Sequence, residues 1–149
     1  MNYCVARLRD LFLSEEENDG GKTSPEGYHT VSPYLVVDSL DELIEFLVRT
    51  FDAKEIMRAP GGGGGTHAEV RIGDSVVMIG QSMTGFAPTS ASFYVYLADV
   101  DGAYRRALKA GANSLEEPTD QSYGDRRAGV KDRFGNTWWI ATHIRDVPH

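Results

Sequence analysis

A strand-then-helix pattern occurs twice in this chain, and that repetition restricts the available folds more than any other feature. Tyr34-Leu35-Val36-Val37-Asp38 leads into a helical stretch closing on Phe51-Asp52-Ala53. Tyr94-Val95-Tyr96-Leu97-Ala98-Asp99 leads into one closing on Ala110-Gly111-Ala112. In each copy an acidic residue opens the helix, and three strand-like runs follow it. A unit of this length present only twice predicts two half-modules around a shared interior rather than a solenoid.

Residue patterning fills in each copy. Val31 to Val37 reads as a strand, and Asp38 or Ser39 caps a helix whose Leu40, Leu43, Ile44, Leu47 and Phe51 share one face. Lys54 to Arg58 follows as a second strand, and His67 to Ile72 alternates polar and apolar residues as a third. Gly73-Asp74 then turns the chain into Ser75 to Ile79. The second copy runs Phe93 to Leu97, a helix from about Asp101 to Lys109 ended by Gly111, and strands near Asn113 to Glu116, Arg127 to Lys131 and Trp138 to Thr142. The expected fold is therefore α+β, βαβββ followed by βαβββ, over 28–145, with halves at about 28–81 and 91–145.

Residues 1–27 read separately. Val5, Leu8 and Phe12 have helical spacing, and Ser14 to Gly21 is charged and glycine-rich, giving a short helix plus a flexible linker. A helix docked on the domain or a partner, and a mobile tail, are both open.

Composition sets outer bounds. A chain of 149 residues buries a real core as one domain. The single Cys4 excludes a disulfide framework and a thiolate zinc site, and fits a reducing cytoplasm. No apolar run approaches the roughly 20 residues that span a bilayer, and Arg7, Arg9 and Asp10 interrupt any signal-peptide core. The net charge of -7 opposes a nucleic-acid partner, and mildly favours cationic small molecules, although solubility alone accounts for it.

Three stretches carry a family resemblance by their order and spacing. They are Ser32 to Asp38, His67 to Ser75, and Gly124-Asp125-Arg126 with Val130 to Asn136. Together they resemble the vicinal oxygen chelate superfamily, the glyoxalase and bleomycin-resistance group. That resemblance implies a curled four-stranded sheet in each half, helices outside, a cavity on the concave side and a homodimer. Metal-dependent members of the group place His and Glu at set points on the first and last strands of each half. Counted onto this sequence, the positions hold Val31, Met78, Ser92 and Trp139. An alkyl group, a thioether, a hydroxyl and an indole do not coordinate a divalent ion as a set. A shift of one residue brings in Thr30, Val77, Phe93 or Trp138, which is no better. No metal, cofactor or catalytic residue is expected, and chemistry needing a Lewis acid is disfavoured.

Strand alternation places Ser92, Tyr94 and Tyr96, Trp139 and His143, Met78, and His67 and Glu69 on the cavity side. These eight are the candidate ligand-binding residues. Tyrosine, indole and thioether surfaces suit a planar or cationic organic ligand. The expected function is metal-independent sequestration of such a ligand, as in the bleomycin-resistance branch, in grooves that two subunits form jointly. The alternative is a glyoxalase- or dioxygenase-like lyase or isomerase with a displaced metal site at His67, Glu69 and His143. His67 and Glu69 have acid/base spacing, yet a solvated strand face with Arg71 as counter-charge is the plainer reading. Gly61 to Gly65 lacks the Lys-Ser or Lys-Thr of a phosphate loop and reads as a flexible flap that gates the pocket. Asp125, Arg126 and Asp132 are expected to fix the loop before the last strand, and His29 and His149 to do nothing specific.

Overall fold

The computed structural model describes residues 23–148. The amphipathic spacing of Val5, Leu8 and Phe12, the linker after it, and His149 lie outside the described residues. The elements are β1 (Tyr34–Val37), α1 (Leu40–Phe51), β2 (Lys54–Pro60), β3 (Thr66–Ile72), β4 (Ser75–Gln81), β5 (Ser92–Tyr96), α2 (Val100–Lys109), β6 (Asn113–Asp120), β7 (Asp125–Lys131) and β8 (Thr137–His143). This is the double βαβββ order. Each half builds one mixed sheet, β1-β4-β3-β2 and β5-β8-β7-β6, with the outer pairs β1–β4 and β5–β8 parallel.

Local chemistry sets the boundaries. β1 begins at Tyr34 rather than Val31, because Pro33 has no N–H to donate to a ladder; Val31 is 82% exposed. The N-cap of α1 is Ser39, and that of α2 is Asp99, whose Oδ1 accepts from the Gly102 amide at 2.9 Å. A Cβ at Gly102 would stand 2.1 Å from Asp99 Oδ2, so only glycine leaves room for that cap. All five apolar residues assigned to the α1 face are buried.

The two helical layers share one core. Leu35, Val37, Val70 and Ile79 pack under α1, and Val130, Ile140 and Trp138 pack in the second half, all in one continuous cluster. Trp138, 0% exposed, stacks on Phe93 with ring centroids 4.4 Å apart and lies 5.3 Å from Phe51 of α1. Arg106 of α2 donates to the Thr50 carbonyl at the end of α1. With the helix-covered faces joined in this way, the opposite faces of both sheets are left open, and the sheets do not close into a single bowl within one chain.

Asp132 locks the turn before β8. Its Oδ1 accepts from the Phe134 and Asn136 amides, and its Oδ2 from Asn136 Nδ2 at 3.0 Å and Trp138 Nε1 at 2.8 Å. Hydrogen bonds, not ion pairs, thus fix this loop. Arg126 does form ion pairs, with Asp101 and Asp120.

Candidate functional site

The halves correspond position for position. Tyr34 lies opposite Met78 across β1–β4, as Tyr94 lies opposite Trp139 across β5–β8. Each open face therefore carries a tyrosine beside a large, polarisable side chain.

In the second half the open face is organised by Asp125, which is only 3% exposed. Tyr94 and Tyr96 each donate a hydroxyl to its Oδ2 at 3.0 Å. His143 Nδ1 lies 2.9 Å from Oδ1, and its Nε2 lies 2.9 Å from Asp146. The Tyr94 hydroxyl also meets that of Tyr123, which accepts from Arg127. Arg127 pairs with Glu116 at 2.8 Å and holds its guanidinium 4.5 Å above the Trp139 ring. That ring also packs against Gly129, where a Cβ would stand 2.5 Å from it.

These contacts polarise the groups involved. The His143 hydrogen bond, helped by the tyrosine hydroxyls, pulls the Asp125 carboxyl below its usual range. The same two carboxylates push the His143 imidazole up. Burial, then the hydrogen bonds to Tyr123 and Asp125, push the Tyr94 phenol up, and the Asp125 hydrogen bond does the same for Tyr96. Arg127 holds Glu116 down.

In the first half, Glu69 is 5% exposed rather than on a solvated strand face. Tyr28 donates to its Oε2, and His67 Nε2 lies 3.2 Å from Oε1. Arg71 does not serve as the counter-charge by hydrogen bonding; its Nη1 donates to the Gly27 carbonyl. His67 also meets the Tyr34 hydroxyl, and Met78 sits between Tyr34 and Glu69 on the neighbouring strands.

The eight candidate residues therefore fall into two groups. Tyr94, Tyr96, Trp139 and His143 share the second open face, with Ser92 exposed at the head of β5; Met78, His67 and Glu69 share the first. Among the described residues no hydrogen bond or ring contact joins the groups. A cleft of about 600 Å³ runs along β5 between the halves, lined by Tyr94, Tyr96 and Phe93 on one side and Val31, Pro33 and Ile72 on the other. Sequence reasoning missed Asp125, Arg127 and Tyr123 as site residues, and Tyr28 and Tyr34 in the first half. No sequence signal marks the Asp125–His143 contact, which depends on the register of β7 on β8.

The family's metal positions can be recounted from the true helix caps. Ser39, not Asp38, corresponds to Asp99, so the first position moves from Val31 to Ser32, the counterpart of Ser92. Ser32, Met78, Ser92 and Trp139 supply two hydroxyls and a thioether, and no imidazole or carboxylate. That donor set does not fit a divalent ion. Among the described residues no three His, Cys, Asp or Glu side chains converge to hold one elsewhere. Nor is any described helix long and apolar enough to cross a membrane.

Two sheets of order 1-4-3-2, each backed by one helix, define the paired βαβββ class of protein. Residues 28–140 match the Glyoxalase/Bleomycin resistance protein/Dioxygenase superfamily, and the chain belongs to that family. An uncharacterized protein of Mycobacterium tuberculosis strain H37Rv is 38% identical over 129 residues, covering 78% of this chain and 76% of its own. Among solved structures, TioX from Micromonospora sp. ML1 superposes with a TM-score of 0.62 at 27% identity, over 76% of this chain and 99% of TioX. The fosfomycin resistance protein FosX from Mesorhizobium loti has the same fold, with a TM-score of 0.56 at 20% identity over 80% of this chain and 93% of its own.

Proposed function

We propose that this chain is a metal-independent binder of small, planar or cationic organic molecules, acting by sequestration in a groove that a second copy completes. The observation that carries this reading is the exposure of Tyr94 and Tyr96, 41% and 63%, on an open sheet face beside the 600 Å³ cleft. Clefts of that size accept drug-sized ligands. The Tyr94 and Tyr96 hydroxyls are tied to Asp125, so what they offer a guest is ring surface. Because Arg127 already covers Trp139, a cationic ligand meets the tyrosine rings, with buried Asp125 behind them, rather than the indole. Burying about 400 Å² of apolar ligand surface at about 25 cal/mol/Å² yields about 10 kcal/mol gross. Association costs of several kcal/mol leave micromolar affinity.

The same geometry supports a homodimer. Each chain leaves the ring-bearing faces of both sheets open, and a second copy laid across them buries those faces and joins the two residue groups into one pocket. The lone Cys4 supports residence in a reducing cytoplasm.

The test is calorimetric titration against planar and cationic aromatic compounds, paired with light scattering for mass. The expected result is a dimer with micromolar binding that falls at least about tenfold in Tyr96→Ala. A dimer silent across the panel, or binding indifferent to Tyr96→Ala, overturns the reading.

A further inference from the structure

We infer that Glu69, His67 and Tyr34 form an acid–imidazole–hydroxyl relay, making Tyr34 a reactive nucleophile toward small acyl compounds. This site lies in the first half, away from the tyrosine pair on which the binding reading rests. Glu69 is buried and accepts at both oxygens, from the Tyr28 hydroxyl and from His67 Nε2. An ionised carboxylate in that position fixes the imidazole with hydrogen on Nε2, which leaves Nδ1 bare. His67 Nδ1 lies 3.3 Å from the Tyr34 hydroxyl, and the two rings stack at 5.6 Å with planes 29° apart. The chain order carboxylate, imidazole, hydroxyl is that of a nucleophile activated by an oriented base.

Access to this hydroxyl comes from bare backbone. A Cβ at Gly80 would stand 2.7 Å from the Tyr34 hydroxyl oxygen, so glycine is what lets the ring lie across β4. The hydroxyl borders a groove of about 190 Å³ bounded by His67, Met83, Phe86 and the turn Gly61 to Gly65. Met83 packs against the glycine run: a Cβ at Gly63 or Gly65 would fall 2.7 or 2.6 Å from the end of its side chain. A groove this small takes a short-chain electrophile, not the drug-sized ligand of the larger cleft.

In the step itself the Tyr34 oxygen bonds to the electrophilic centre while its proton passes to His67 Nδ1. Glu69 balances the imidazolium, and the leaving group departs with its bonding electrons. Glu69 and Tyr28 are positioning residues; Tyr34 and His67 touch the reacting atoms. The charged and titratable groups facing His67 are Tyr34 from β1, Glu69 from its own strand and, through Glu69, Tyr28. Arg71 is turned to Gly27.

An aryl sulfonyl fluoride applied to the full chain tests this, with labelling at each tyrosine followed by peptide mass spectrometry across pH. The tyrosine oxygen bonds to sulfur, fluoride leaves, and His67 takes the proton. Tyr34 is expected to label at least about tenfold faster than Tyr96 and Tyr123, with a pH–rate profile whose shape depends on His67. Glu69→Gln and His67→Gln each bring Tyr34 down to the rate of Tyr96 and Tyr123 and change the shape of its pH–rate profile. Circular dichroism confirms folding, and if Glu69→Gln fails to fold, His67→Gln decides alone. Labelling of Tyr34 no faster than Tyr123, or a pH profile unmoved by His67→Gln, overturns the relay and leaves the ligand reading of the second half standing.

Discussion

Gly129→Ala is expected to destabilise the protein only while Trp139 is present. Gly129 faces Trp139 across the β7–β8 ladder. A Cβ there would stand 2.5 Å from Trp139 Cζ3 and 2.8 Å from Cε3, well inside van der Waals contact. The backbone is no obstacle, since Gly129 is not among the residues of positive φ. In a strand, replacing glycine by alanine gains about 0.5–1 kcal/mol of conformational free energy. The ring is also held by Arg127, whose guanidinium lies 4.5 Å over it and is clamped twice by Glu116, at 3.0 and 2.8 Å. Overpacking of this kind costs about 1–3 kcal/mol, so the net loss centres on about 1 kcal/mol and reaches at most about 2.5 kcal/mol. In a Trp139→Ala background the obstruction is gone and the same substitution stabilises by about 0.5 kcal/mol. Urea unfolding followed by far-UV circular dichroism, insensitive to which tryptophan is present, measures all four corners of the cycle. Equal cost in both backgrounds would refute the contact as the cause.

Other perturbations reach separate parts of the structure. Asp132→Asn replaces an acceptor of four hydrogen bonds with a group that accepts on one side only, and should cost about 3 kcal/mol by urea unfolding. Thr50→Val should stabilise by about 1 kcal/mol in the same assay, since the buried Thr50 Oγ1 has no partner among the described residues. His143 has its pKa raised above 6.5 by Asp125 and Asp146, so its contribution is full below that value and fades as pH climbs through the raised one. The Asp125 carboxyl, held below 3.8, loses its contribution only as pH falls past its own lowered value. The stability gap between wild type and His143→Gln should therefore be larger at pH about 5.5 than at about 8.5, and an equal gap would contradict the pairing.

The fold was largely legible because periodicity and punctuation agreed. The apolar face of α1, the Gly73-Asp74 hairpin and the inward order of Tyr94, Tyr96 and Trp139 all follow from alternation and turn chemistry. What escaped depended on contacts between residues distant in sequence. Asp125 meets His143 because β7 and β8 pair in one register, and a single sequence does not display that register. Glu69 sits on the face that alternation assigned, but its partner Tyr28 is delivered by the turn at Pro25 ahead of the first strand. The N-cap of α1 was ambiguous by one residue, and that single step moved a counted position from Ser32 to Val31. The shared interior expected within one chain is instead two open sheets: helix patterning reveals which face is greasy, not which other greasy face it meets.

Trp138 and Trp139 are neighbours in sequence that look in opposite directions. Through Asp132, the inner indole is bolted to the turn that starts the last strand, so the outer one inherits a backbone with no freedom to slide. A guest arriving at that surface finds the furniture already arranged: little motion is left to be frozen on contact, and less of the attraction is consumed in creating order.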